Sequence, residues 1–366
     1  MNQKIFLSKP KLNPSLRNIN SDEENITKFE NSLENYLGEK KYVVALNSAT
    51  SALHLALILL GVESGDEVIC QSFTFVATAN PIIYQKAKPI FIDSEKDTWN
   101  MCPILLEKAI LDRINKGKKP KAIIFVNLYG MPAKIQEITA ISKKYDIKLI
   151  EDAAEALGAE YKNRKCGTFA DFSVISFNNN KIITTFGGGA LICNHKKDKK
   201  KAVFLSKQAR DIAPHYQHSE IGYNYRMSNV LAGIGVEQMN FLEKNIKIRR
   251  KNNTVYELFL KEIEGIEILS EYSKVNNSNH WLTCILIDEK ITGFNREKLR
   301  LLLSDNNIES RPLWKPMHLQ PIFKNSDFYG SNVSETLFKT GICLPSGSDL
   351  TETDLERITS TIKKLL

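Results

Sequence analysis

The chain has 366 residues, 42% of them hydrophobic, and carries a formal charge of +8 at pH 7. That composition is enough to bury a substantial core and the length is enough for two domains, which excludes a disordered chain. The longest apolar stretch, 53–62, contains His54 and is too short to cross a bilayer, and the polar start Met1-Asn2-Gln3-Lys4 has no signal-peptide core, so no membrane association and a cytoplasmic location are expected.

Short β-rich apolar runs recur at 42–47, 67–72, 89–93, 122–128, 148–152, 172–177 and 189–193. Helical patterns such as 52–60 and 133–145 fall between several of them. This alternation predicts an α/β domain built on a mostly parallel seven-stranded sheet covered on both faces. The basic run Lys196-Lys197-Asp198-Lys199-Lys200-Lys201 follows the last strand. Without interleaved aromatics for base stacking it reads as the solvated start of a helix, and no nucleic-acid partner is expected. A long helical pattern over 229–260 leads to a strand (280–287), a helix (295–305), a strand (308–313) and a last helix opened by the capping box Thr351-Glu352-Thr353-Asp354. The expected division is an N-terminal arm over 1–20, a large α/β domain over 21–245 and a smaller α+β domain over 246–366. The six cysteines, Cys70, Cys102, Cys166, Cys193, Cys284 and Cys343, form no C-x-x-C pair, which argues for free thiols rather than a disulfide framework or a structural zinc site. His215 and His218 lack a third ligand at a useful spacing, so no metal is expected.

Lys181 ends the run Ser176-Phe177-Asn178-Asn179-Asn180-Lys181, just ahead of Gly187-Gly188-Gly189. Asp152 closes an apolar run, near a strand's C-terminal end, where open α/β sheets place their ligands. A Schiff-base lysine needs a carboxylate elsewhere to keep the ring nitrogen of pyridoxal phosphate protonated, because the pyridinium is the effective electron sink. Lys181 and Asp152 suit those two tasks. A phosphate cradle is offered by Asn47-Ser48-Ala49-Thr50-Ser51, which runs from a strand into an apolar helix; free amides and hydroxyls at a helix start bind dianions. Taken as plain structure, Ser48 or Thr50 is an N-cap. Ser176 and Asn178 can reach the same phosphate, the glycine triplet lets the chain turn tightly after the lysine loop, and Phe75 can cover a ring face.

With these pieces assembled, the chain resembles the DegT/DnrJ/EryC1/StrS family of PLP-dependent sugar aminotransferases over nearly its whole length. The resemblance is carried by Asn47-Ser48-Ala49-Thr50, Ser72-Phe73-Thr74-Phe75, Glu151-Asp152-Ala153-Ala154-Glu155, Ser176-Phe177-Asn178-Asn179-Asn180-Lys181-Ile182-Ile183-Thr184-Thr185, Gly222-Tyr223-Asn224-Tyr225-Arg226-Met227-Ser228-Asn229 and Arg311-Pro312-Leu313-Trp314-Lys315-Pro316-Met317-His318. It implies the aminotransferase fold of type I. It also implies that Lys181 holds the cofactor, Asp152 its ring nitrogen, Phe75 a ring face, and that Glu155 lies beside the ring or its hydroxyl. Ala49, Thr50 and Ser176 would bind the phosphate, with Asn224 of a neighbouring subunit completing that site in a homodimer. Arg226, Trp314, Lys315 and His318 match segments near the sugar nucleotide.

The wording around Lys181 and Trp314 looks most like enzymes that transfer an amino group from L-glutamate to C4 of a UDP-linked 4-keto-6-deoxy sugar. Transfer to C3, a dTDP- or GDP-linked substrate, and a degenerate PLP-binding scaffold subunit remain open. Related sugar dehydratases carry histidine in place of the lysine, so Lys181 argues for transamination. Two departures from the family pattern stand out: the aromatic-Ile-Ala-Pro-x-Gly portion expected after Phe6-Leu7-Ser8 is missing, and Asn127 stands where a histidine is common.

Overall fold

The structure, a computed structural model, describes residues 4–8, 24–38 and 40–366. The stretch in which the aromatic-Ile-Ala-Pro-x-Gly portion is missing, and most of the expected arm, lie outside the described residues. The first half runs α1 (Glu24–Leu37), β1 (Tyr42–Leu46), α2 (Ala49–Leu59), β2 (Glu67–Gln71), α3 (Val76–Tyr84), β3 (Lys88–Ile92), α4 (Pro103–Asn115), β4 (Ala122–Val126), α5 (Ile135–Lys144) and β5 (Lys148–Asp152). Next come β6 (Glu160–Tyr161), β7 (Arg164–Lys165), β8 (Phe172–Ser176), β9 (Gly189–Cys193), α6 (Lys196–Ser206), α7 (Asn229–Met239) and α8 (Leu242–Leu260). The tail adds β10 (Ile266–Ile268), β11 (Asn276–Asn277), β12 (Thr283–Ile287), α9 (Glu289–Thr292), α10 (Arg296–Asp305), β13 (Arg311–Pro312), β14 (Phe328–Tyr329), α11 (Val333–Thr340), β15 (Gly341–Leu344) and α12 (Glu352–Lys363).

The main sheet has the order β1-β9-β8-β5-β4-β2-β3-β14. The seven expected runs all enter it, and the two-residue strand β14 makes it eight-stranded by pairing parallel to β3. Only β9 runs antiparallel to its neighbours, β8 and β1. Strands β2, β4, β8 and β9 are buried along their whole length, as expected of strands with helices on both faces. Helix α2 supplies one cover: Ser51 to Leu57 are all buried, so this helix is a core element rather than an amphipathic one. On the other end α1 presents Ile26, Phe29, Leu33 and Leu37 at helical spacing. Phe29 fits over Gly235 of α7, where a β-carbon would come within 2.7 Å of its ring.

The tail differs from expectation in three places. The long helical pattern breaks at Asn240 and Phe241 into α7 and α8, and α8 then crosses the expected boundary near 245. Its Leu242 and Ile246 pack with α1 and β1, whereas Tyr256 and Leu260 pack with β12, β15 and α12. The strand expected at 280–287 begins only at Thr283, because His280 has a positive φ of 45° that breaks the extended run. Of the run 308–313, only Arg311–Pro312 forms strand β13, at the edge of the four-stranded sheet β10-β12-β15-β13, where a proline lacking an N–H is tolerated. Ile308 instead bridges Ile5, so the segment 4–8 packs on the tail. The capping box of α12 forms with both reciprocal bonds between Thr351 and Asp354. All six cysteines are free thiols, and no described helix is long and apolar enough to cross a membrane.

Candidate active site

Reading from one end of the sheet, strand order reverses between β2 and β4, and ligands of open α/β sheets sit outside the carboxyl ends of strands at such a reversal. A cavity of about 270 Å³ lies there, and Asp152, Glu155, Lys181, Phe75, Thr50 and Ser176 all face it. Lys181 leaves the β8–β9 connection, which is folded back on itself by Phe177 N–H to Gly188 O (2.9 Å) and Thr185 N–H to Phe177 O (2.9 Å). Its ammonium lies 3.4 Å from Glu155 Oε1 and 3.9 Å from the centre of the Trp281 ring.

Asp152 is the last residue of β5, and its two oxygens accept from Thr78 Oγ1 (2.7 Å) and from the Ala154 N–H (3.1 Å). Burial raises its pKa above the ordinary aspartate value, and those two bonds and the charge of Lys181 pull the other way. Glu155 is likewise raised by burial and lowered by Lys181 and by the Tyr129 N–H that donates to its Oε2 at 2.7 Å. The cavity therefore holds two desolvated carboxyl groups and one ammonium, and a further cation beside Asp152 would relieve its burial.

The start of α2 is where the phosphate cradle is expected. Ser48 is the N-cap: its Oγ accepts from Ser51 N–H at 3.0 Å, and Ser51 Oγ donates to Asn47 Oδ1 at 2.6 Å. The amides of Ala49 and Thr50 make no hydrogen bond to described residues and point out of a helix N-terminus, with Ser176 and Asn178 on the same cavity wall. Gly189 is required here for contact rather than for φ. A β-carbon on it would lie 2.3 Å from Ala49 N and 2.4 Å from Ser48 C. Gly189→Ala is expected to push the α2 N-terminus out of place and weaken cofactor capture at least tenfold, measured as Kd by titrating the cofactor-free protein; unchanged affinity would show that the α2 start is not the cradle.

The cavity opens past Phe75, which is half exposed and meets Trp314 edge to face at 4.7 Å. Beyond it lies a second hollow of about 700 Å³, bounded by Phe6, Arg311, Trp314, Lys315, Trp281 and Asn180, so Trp281, Trp314 and Asn180 wall both spaces. Trp314 and Lys315 are thus where a substrate beside the cofactor would pass.

Two of the expected substrate residues stand elsewhere. Arg226 turns its guanidinium to Glu30 Oε1 (2.6 Å) and Ala45 O (3.1 Å), joining the β1 edge to α1. His318 accepts or donates through Nδ1 with Ser72 Oγ (2.7 Å) and stacks on Phe328 at 3.6 Å, fastening the tail to the end of β2. Burial lowers its pKa despite Glu335 nearby. Asn224 is exposed and does not line the cavity; its carbonyl accepts from Asn47 Nδ2. Asn127 turns away as well, donating to Glu151 Oε1 (2.8 Å) and accepting from the Ala133 N–H (2.9 Å). Two residues of the cavity wall, Thr78 and Trp281, were not singled out in the sequence, nor was Tyr129, whose N–H donates to Glu155 from behind that wall. Thr78, one helical turn beyond Phe75, was the most accessible of them.

The donor set fits pyridoxal phosphate: a helix start with hydroxyls for the phosphate, an aromatic face, a buried carboxylate for the ring nitrogen and a lysine within the same cavity. A family model described as the DegT/DnrJ/EryC1/StrS aminotransferase family matches residues 12–363, and the chain belongs to that family. Its cofactor is pyridoxal phosphate. EpsN of Bacillus subtilis (strain 168), provisionally named a pyridoxal phosphate-dependent aminotransferase, is 46% identical over 378 aligned positions, covering 100% of this chain and 96% of EpsN. A GDP-perosamine synthase of Escherichia coli O157:H7 is 35% identical over 94% of this chain and 91% of its own. Among solved structures, Helicobacter pylori PseC, an aminotransferase involved in the biosynthesis of pseudoaminic acid, superposes with a TM-score of 0.89 at 25% identity, covering 99% of both chains.

Proposed function

We propose that this chain transfers an amino group from L-glutamate to C4 of a UDP-linked 4-keto-6-deoxy sugar, as a homodimer. The observation that carries the transaminase chemistry is the meeting of Lys181 and Asp152 in one cavity, with an open helix N-terminus as its third wall. When bound, the cofactor supplies an electron sink that lets a proton leave carbon next to nitrogen. Lys181 holds the cofactor at rest and, once displaced, is the base and acid that moves the proton from the donor's α-carbon and later returns one to the sugar carbon. General acid–base work of this kind is worth roughly 10²–10⁴ in rate. Asp152 keeps the ring nitrogen protonated, Phe75 orients the ring, and Ala49, Thr50, Ser176 and Asn178 hold the phosphate. Glu155, beside Lys181, would lie next to the ring face or its hydroxyl. The 700 Å³ hollow, with Trp314 and Lys315 on its wall, is large enough for a nucleotide sugar.

The preference for UDP rests on the wording of the segments around Lys181 and Trp314. The similarity to a GDP-perosamine synthase makes a GDP-linked sugar the competing substrate. Incubation with glutamate and UDP-, dTDP- and GDP-linked 4-keto sugars, with the product identified by mass and its amine position by NMR, is expected to give a UDP-linked 4-amino sugar. A product from the GDP compound alone, or an amine at C3, would overturn that choice while leaving the transaminase intact.

The dimer is supported by Asn224, which is exposed and does not line the cavity. Asn224→Asp, which sets a carboxylate against a phosphate, is expected to abolish cofactor retention in a uniform dimer. Coexpression with Lys181→Ala then regains activity, because each mixed dimer gathers one undamaged site. No regain would mean that Asn224 acts within its own subunit.

A further inference from the structure

We infer that Trp281 is a positioning residue that grips Lys181 at both ends, fixing its backbone and giving its released ε-amine a resting place; this rests on the transaminase function proposed above. The indole of Trp281 is buried, and its Nε1–H donates to the carbonyl of Asn180 at 2.8 Å. Asn180 is the residue before Lys181, so that bond fixes the peptide from which the lysine side chain departs. The face of the same ring carries the ammonium, 3.9 Å from the centroid, and Glu155 Oε1 lies 3.4 Å from that ammonium. An ammonium held by an indole face and a carboxylate gains from both, and the indole is the strongest of the aromatic side chains in this role.

The grip is itself held. The Asn180 carbonyl accepts a second bond, from Ser8 Oγ at 2.7 Å. Ser8 also accepts from Nη2 of Arg249 at 3.1 Å, and Nη1 of Arg249 donates to the backbone carbonyl of Trp281 at 2.5 Å. Asn180, Ser8, Arg249 and Trp281 thus close a ring of hydrogen bonds around the root of Lys181, and Arg249 within it is fully buried. Tyr129 lies beside Trp281, nearly parallel at 6.5 Å between ring centres, and donates its own N–H to Glu155. The groups that set the lysine's position therefore come from the N-terminal segment, from α8 and from the approach to β12, none of which belongs to the lysine loop.

A lysine that is bound at rest and free during proton transfer swings between two positions, and one that wandered when free would be a poor base. The chemical need is for a fixed second position close to the first. Trp281 meets it with a surface that attracts the ammonium formed when the lysine takes up the proton, without bonding it, and so lets it leave again.

Three variants separate the two halves of the grip. Trp281→Phe keeps a ring face and loses the N–H, Trp281→Leu loses both, and Ser8→Ala removes one bond to Asn180 O and one from Arg249 while leaving the indole in place. The half-reaction with glutamate, followed by loss of the cofactor's visible band, is expected to slow about 10–100-fold in Trp281→Leu, and less than about fivefold in Trp281→Phe, with KM for glutamate changed less than about threefold. Ser8→Ala should fall between wild type and Trp281→Leu and show a larger isotope effect with α-deuterated glutamate than wild type. In the cofactor-free protein, acetylation of Lys181 mapped by peptide mass should run at least about threefold faster in Trp281→Leu than in wild type or Trp281→Phe, since only the leucine variant has lost the aromatic face. Equal slowing in the phenylalanine and leucine variants, a loss confined to KM, or unchanged labelling would overturn the inference. Should Trp281→Leu fail to fold, Ser8→Ala decides it: an isotope effect and half-reaction rate equal to wild type would overturn the grip. A wild-type protein whose visible band glutamate does not bleach would instead defeat the transaminase function itself.

Discussion

Lys181→Ala is expected to lose turnover by at least roughly 10²–10⁴-fold, the range for one well-placed acid–base group, and to lose the cofactor band that borohydride reduces in the wild-type protein. The chemistry depends on this amine in both half-reactions, and among the described residues no other ammonium faces the cavity. The chain should still fold. Removing one partner of a buried ion pair is costly when the other charge is left bare, but Glu155 already has its pKa raised by burial and can take up a proton, keeping its bond from the Tyr129 N–H. Circular dichroism and the melting transition are expected to change little while activity disappears. Turnover within about tenfold of wild type in a protein freed of wild-type carry-over would remove Lys181 from the reaction.

How much of this was legible beforehand follows from what sequence can carry. Lys181, Asp152 and the start of α2 were found because their chemistry is tied to where they stand: a carboxylate at a strand end, amides at a helix start and a lysine before glycines. All three reach one cavity. Arg226 and His318 matched motifs equally well, yet a motif does not say which way a side chain turns, and here Glu30 and Ser72 claim them. Asn127 looked like a change near the cofactor and instead serves Glu151. The fold class and all seven principal strands were visible as apolar runs. Strand β14 was not, because two residues have no periodicity, and the break between α7 and α8 was hidden since helical sequence continues on both sides of it. Trp281 gave no signal: a lone tryptophan before a strand is usually core. Only the folded chain brings it under Lys181.

Asp152→Asn is the second large effect, and its sign differs between activity and stability. The asparagine keeps the shape and can retain a bond with Thr78, but it cannot hold a proton on the ring nitrogen by charge. Turnover is expected to fall on the order of 10²–10³-fold, as when one preorganised electrostatic partner is removed from a catalytic site, with the bound cofactor's absorption shifted to that of an unprotonated ring. Stability should move the other way in the cofactor-free protein. The pKa of Asp152 is raised in the folded state, mainly by burial, so its contribution to folding is present at low pH and is lost as pH rises through that raised value. Asparagine does not titrate and escapes this loss. Cofactor-free Asp152→Asn should therefore melt no lower than the wild type at pH 8, with the difference between them shrinking or reversing at an acid pH below that raised value, where the aspartic acid is protonated and neutral too. Adding pyridoxal phosphate at pH 8 should then stabilise the wild type more than the variant, because only the wild type offers its ring a counter-charge. An active Asp152→Asn, or one destabilised equally at both pH values, would mean that this carboxylate is a structural cap at the end of β5 and not the partner of the ring.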